Sequence, residues 1–164
     1  MKLSIYIFFI SLLVIETSCK KQKAVNYIFE TESAEVLSNK NIDSSFLPYG
    51  ERIFNITSGN KTVFKYDYTW ENRDPMIVDA YTHKVYAFAI DLPLSQTSFL
   101  LTDHEIKQAH GFYSYFLGAG TGISGLITKG KITGTKINSA TWNVVMHFEL
   151  PHSTINITKK FTIK

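Results

Sequence analysis

Apolar residues recur at alternate positions through the C-terminal part of the chain. Over 142–150, Trp142, Val144, Met146, Phe148 and Leu150 alternate with Asn143, Val145, His147 and Glu149. Over 155–163, Ile155, Ile157, Phe161 and Ile163 alternate with Asn156, Thr158, Lys160 and Thr162. Successive strand side chains point to opposite faces, so each segment is predicted to be a strand with one buried and one wet face. The residues between them, Pro151 to Thr154, predict an antiparallel hairpin.

A second hairpin is predicted upstream. Arg52 to Thr57 and Lys61 to Trp70 flank Ser58-Gly59-Asn60, a turn composition. In its second arm Phe64, Tyr66, Tyr68 and Trp70 share one face, and Lys65, Asp67 and Thr69 the other. Residues 85–90 are apolar at every position, which predicts a central strand covered on both sides. Thr102 and Glu105 have capping-box spacing, and Gly111 follows as a left-handed stop. One short helix is therefore expected at 103–110, then a strand at 112–117. Gly125, Gly130 and Gly134, in a β-branched stretch, predict bends or bulges. Residues 31–50 are polar and mixed, and read as a loop-rich entry to the fold. Many short strands with one helix predict an all-β fold, an antiparallel β-sandwich, with a small up-and-down lipocalin-like β-barrel as the alternative.

The first residues follow a different pattern. Lys2 precedes a nearly unbroken apolar run from Leu3 to Ile15, and Thr17, Ser18 and Cys19 follow it. A basic start, a short apolar stretch and small residues at its end form a secretory signal. The run is too short to span a bilayer, which takes about 20 residues. Cys19, the single cysteine of the chain, stands directly after the small pair Thr17-Ser18. Here the sequence resembles the bacterial lipoprotein class, over roughly its first twenty residues. The class prefers a Leu-like residue three positions before the cysteine, where this chain has Glu16. The resemblance implies cleavage before Cys19, acyl chains on that residue, and a membrane partner through the lipid anchor. Lys20, Lys21 and Lys23 stand where surface-displayed lipoproteins carry acidic residues, which implies a cell-envelope protein facing the periplasm. The organisation expected is a signal peptide at 1–18, a tether at 19–24 and a single β domain at 25–164.

Composition narrows the function. The chain has 164 residues and a net charge of +3, with the charges dispersed. Nucleic-acid binding would need a clustered basic stripe, so no nucleic-acid partner is expected. No cysteine is left for a disulfide once Cys19 is acylated, so packing alone must stabilise the domain.

Several chemical motifs fail on context. Gly120 to Gly125 fits G-x-G-x-x-G, and Gly125 to Lys131 nearly fits a P-loop, but a β pattern follows where each needs a helix. Ser58 and Lys61 have S-x-x-K spacing within a turn composition. His104 and His110 are six residues apart and point to different helix faces. His147 falls on a wet strand face, His152 lies close by and His83 falls in an expected turn. No metal, cofactor or catalytic set is assigned. The surface that remains is aromatic. Tyr66, Tyr68 and Trp70 could form a platform suited to stacking, with Arg73 in the following loop, although filling the core is the commoner role of strand aromatics. Phe112, Tyr113, Tyr115 and Phe116 form a second such group. The reading is a non-enzymatic envelope module that binds a protein, a glycan or an apolar ligand. The alternatives are an envelope hydrolase using Asp103, Glu105 or His110, and a barrel carrier of an apolar ligand.

Overall fold

The computed structural model describes residues 27–47, 52–74, 80–118, 121–151 and 153–164. The expected signal segment, Cys19, the expected tether, Gly120 and His152 lie outside them. Within the described residues the chain runs β1 (Ile28–Phe46), β2 (Arg52–Asn72), β3 (Tyr81–Ile90), β4 (Ser98–Thr102), α1 (Asp103–Gln108), β5 (Phe112–Leu117), β6 (Thr121–Leu126), β7 (Gly130–Asn138), β8 (Thr141–Leu150) and β9 (Ser153–Ile163). The fold is all-β with one short helix. All nine strands belong to one sheet in the order β4-β7-β8-β9-β1-β2-β3-β5-β6. Its neighbours are antiparallel except β1 and β9, which pair in parallel at only two rows, Glu35 with Thr162 and Val36 with Ile163.

That short seam lets the sheet fold over on itself. Phe64 on β2 meets Trp142 of β8 and Phe161 of β9, each at 5.8 Å between ring centroids. Tyr86 of β3 lies 6.0 Å from Phe148 of β8. Phe99 of β4 closes over Phe64 at 5.1 Å and Phe88 at 5.8 Å. The two layers are thus the halves of one curled sheet rather than two separate sheets. The edges β4 and β6 are not paired with each other, so the barrel is not closed.

The alternation at 142–150 is realised directly: Trp142, Val144, Met146 and Phe148 are buried, and β8 pairs with β9 from Leu150–Ser153 to Thr141–Thr162. The helix also forms where the capping box placed it. The Thr102 N–H donates to Glu105 Oε2 at 3.0 Å. His110 takes the left-handed conformation (φ 50°), not Gly111. Gly111 is required for space, since a Cβ there would meet Ile106 Cγ2 at 2.7 Å.

Two sequence expectations are corrected. Residues 28–46 are one long strand, not a loop-rich entry. β1 is polar because its backbone is satisfied by β2 while most of its side chains face solvent. The hairpin centred on Ser58-Gly59-Asn60 does not form either. Both its arms belong to β2, and both pair with β1. The turn composition is used in a bulge, where Lys40 faces both Ser58 and Lys61 and Asn39 takes φ 56°. A bulge bends the ribbon and reverses which side chains face inward. Beyond it, residues 41–46 and 52–57 form an arm that covers the outer face of β2, β3 and β5. Phe54 stacks on Phe112 at 4.5 Å, and Ile42 joins Val63, Ala87, Ala89 and Phe112 in a second, smaller core. This arm is why residues 85–90 are apolar on both faces.

Candidate functional site

Strand register decides which side chains converge. Tyr66 pairs with Tyr86 and Tyr68 with Lys84 across β2 and β3. Tyr86 pairs with Tyr113 and Lys84 with Tyr115 across β3 and β5. All six side chains lie on the inner face. From the seam at Val36 towards the start of β1, no further pairing joins β1 to β9, and a groove opens between the two layers. Its first part, about 330 Å³, is lined by Lys84, Tyr86, Tyr113, Tyr115 and Ile123, facing Leu150, Pro151 and Ile155. The second, about 380 Å³, lies between Tyr66, Tyr68, Lys84 and Tyr86 on one side and Thr154 to Ile157 on the other. The two parts share Lys84, Tyr86 and Ile155.

Tyr66 and Tyr86 are nearly buried and belong to the main core. Their rings form the groove floor. Burial, followed by the Glu32 carboxylate and the neighbouring Tyr68 and Tyr86, pushes the Tyr66 hydroxyl up to about 12. Burial does the same for Tyr86, again to about 12. Both hydroxyls are therefore neutral at physiological pH. A group whose pKa is raised on folding contributes stability that is complete below its unfolded value, near 10, and is lost as pH rises through its folded value, near 12. Alkaline spectrophotometric titration should show late-ionising tyrosines, of which Tyr66→Phe and Tyr86→Phe each remove one. Ionisation of all tyrosines near pH 10 in the folded protein would contradict this.

Lys84 is the charged group of the groove. Its Nζ sits 5.0 Å above the Tyr115 ring and 5.9 Å from that of Tyr68, and among the described residues no carboxylate pairs with it. The nearby carboxylates are engaged elsewhere: Glu32 with Lys159 and Tyr66, and Glu30 with Tyr68. On the opposite face of the sheet, Asp67 binds Lys65 and His83, each at 2.8 Å. Burial opposes ionisation of Asp67, but the hydrogen bonds and charges of Lys65 and His83 outweigh it and hold the carboxyl below its usual range. His83 therefore lies in β3 and not in a turn. A further cavity of about 470 Å³ lies beside this network, under the arm. Its lysine, Lys65, is already paired.

The other sequence candidates are dispersed. Trp70 shares the inner face one row beyond Tyr68, paired with Thr82, and does not line the groove. Arg73 packs over Phe29 at 4.3 Å and binds Glu71 at 2.7 Å, away from the tyrosines. Phe112 and Phe116 face outward, opposite to Tyr113 and Tyr115. Asp103 Oδ1 accepts from the Gly130 N–H at 2.7 Å, Glu105 caps α1, and His110 Nδ1 lies 3.2 Å from the Ile42 carbonyl oxygen. Each of these three groups serves a separate structural bond. His147 is exposed on β8, with Nδ1 2.6 Å from Asn156 Oδ1. Among the described residues no group of three or more His, Cys, Asp or Glu side chains is arranged to hold a metal ion. Comparison with family models, with curated proteins and with solved structures finds no match for this chain.

Proposed function

We propose that this protein is a lipid-anchored binding module of a bacterial cell envelope, facing the periplasm, and that the tyrosine groove is its ligand site. One observation carries the choice of site: among the described residues Lys84 has no carboxylate partner, and it lies in a cleft walled mainly by tyrosine rings and aliphatic side chains, with Ser153, Thr154 and Asn156 on the β9 side. Pockets of this kind, apolar with a few placed polar groups, are the usual form of a small-molecule site. The ligand is an elongated amphipathic anion. Its ring or acyl body lies between the tyrosines and Leu150, Ile155 and Ile157, and its negative group meets Lys84. The neutral tyrosine hydroxyls supply hydrogen bonds along its length. The anchor rests on the N-terminal pattern that ends at Cys19, and intact mass of the membrane-extracted protein should show acyl chains on that residue.

The groove is tested with anilinonaphthalene sulfonate, which joins an apolar aromatic body to one negative charge. The purified chain should enhance its fluorescence. Lys84→Glu and Ile155→Asp should each weaken binding several-fold, while Lys160→Glu, on the wet face of β9, should leave it unchanged. Equal binding by all three variants and the parent chain would remove the groove as the site.

A further inference from the structure

A band of exposed apolar side chains lies at one end of the sheet, the end at which β1 begins. Tyr27, Ile28, Phe29, Tyr81, Phe116 and Leu117 are each 38–47% exposed. Register sets Phe29, Tyr81 and Phe116 on the outer face, through Glu71 and His83, while Ile28 and Leu117 project from the inner face at the same strand ends. Backbone hydrogen bonds hold the strand ends level, from Arg73 N–H to the Tyr27 carbonyl (2.8 Å), from Asn72 N–H to Ala80 (2.8 Å) and from Gly118 N–H to Tyr81 (2.9 Å). On the outer face the side chains form a row. Arg73 lies on Phe29, Tyr81 is 6.4 Å from His83, and His83 is 6.3 Å from Phe116.

We infer that this rim is a membrane-seating surface, which rests on the groove and Cys19 anchor reading given above and adds the orientation of the domain. From Cys19 to Tyr27 there are eight residue steps, a reach of at most about 28 Å when fully extended. A lipid on Cys19 therefore keeps Tyr27 near the bilayer. The opposite end of the sheet carries Leu94, 97% exposed and just beyond Ile90, about 30 Å of strand from Tyr81. The rim has the chemistry of an interfacial belt, with tyrosine and phenylalanine beside one arginine that Glu71 neutralises, and such residues favour the headgroup region. Lys20, Lys21 and Lys23, between the anchor and the rim, complement an anionic headgroup surface. Seated in this way, the domain holds Lys84, three residues from Tyr81, about 10 Å above the lipid.

The test uses the full chain, extracted from membranes and reconstituted into vesicles of phosphatidylethanolamine and phosphatidylglycerol with brominated acyl chains, which quench nearby tryptophan. Tyr81→Trp and Leu94→Trp are compared, with intact mass recorded for each. Tyr81→Trp should be quenched several-fold more than Leu94→Trp. Equal quenching of the two in acylated protein overturns the rim and leaves the anchor standing. Preferential quenching of Tyr81→Trp in protein without acyl chains supports the rim and removes the anchor. Protein that does not associate with the vesicles removes both.

Discussion

Phe64→Ala should destabilise the domain by about 3–5 kcal/mol, the range for truncating a fully buried aromatic residue. Phe64 is completely buried, and its ring meets elements from both halves of the sheet: Phe88 at 5.1 Å, Phe99 at 5.1 Å, and Trp142 and Phe161 at 5.8 Å. The hydrogen-bonded seam between the halves is only two rows long. Side-chain packing, with this ring at its centre, therefore holds the layers together. Domains of this size have a total stability of about 5–15 kcal/mol, so the variant should lose much of its denaturation midpoint or fail to fold. Urea melts followed by circular dichroism and by tryptophan fluorescence provide the measurement, with Val145→Ala on the exposed side of β8 as a control expected within about 0.5 kcal/mol of the parent. A loss below about 1 kcal/mol for Phe64→Ala would mean that the halves do not share this core.

The parts of the fold legible in the sequence are those where burial and strand geometry coincide. Trp142 to Leu150 alternate because one face of β8 meets the core and the other meets water. Thr102 and Glu105 mark a helix start because their chemistry is local. β1 gave no such signal. Its hydrogen bonds are made with β2, but the two-row seam with β9 leaves most of its side chains wet, so Ser38, Asn41, Ser44 and Ser45 are tolerated in a strand. Hydrophobic patterning reports burial, not pairing. Ser58-Gly59-Asn60 misled for a related reason. Its composition suits any local break in a ladder, and only the partner strand decides between a turn and a bulge.

The site was half legible on the same grounds. Tyr66 and Tyr68 share a face within one strand, which alternation alone reveals. Lys84 and Tyr86 join them only through the β2–β3 register, and the arm obscured their parity by making the outer side of β3 apolar as well. Tyr113 and Tyr115 alternate with Phe112 and Phe116, so composition could not show which pair faced inward. Arg73 was expected beside the aromatics by sequence proximity. The strand had ended by then, and Arg73 turned to Phe29 and Glu71 on the other face.

The glycines of the β7 region show how far chain geometry can be fixed by one residue, and Gly130→Ala is expected to have the second largest effect on stability. Of the three glycines expected to mark bends, only Gly130 has a positive φ, at 142°. Gly134 instead leaves room for the Phe99 ring, and a Cβ at Gly125 would meet the edge of Tyr113 at 3.0 Å, where a side chain can shift. At Gly130 the obstacles are backbone: an added Cβ would strike the His147 carbonyl oxygen and lie 3.0 Å from Phe148 Cα. The position cannot simply relax, because Gly130 pairs with Phe148 and its N–H is held by Asp103 at the first turn of α1. Backbone held in a disfavoured region costs about 1–3 kcal/mol, and displacing a paired strand adds to it, so a loss of about 3 kcal/mol is expected. Asp103→Ala, which removes only the hydrogen bond to that N–H, should lose about 1 kcal/mol. Urea midpoints of the two variants separate the terms. If Gly130→Ala loses no more than Asp103→Ala, the strand start adapts and the junction between α1 and β7 does not depend on glycine geometry.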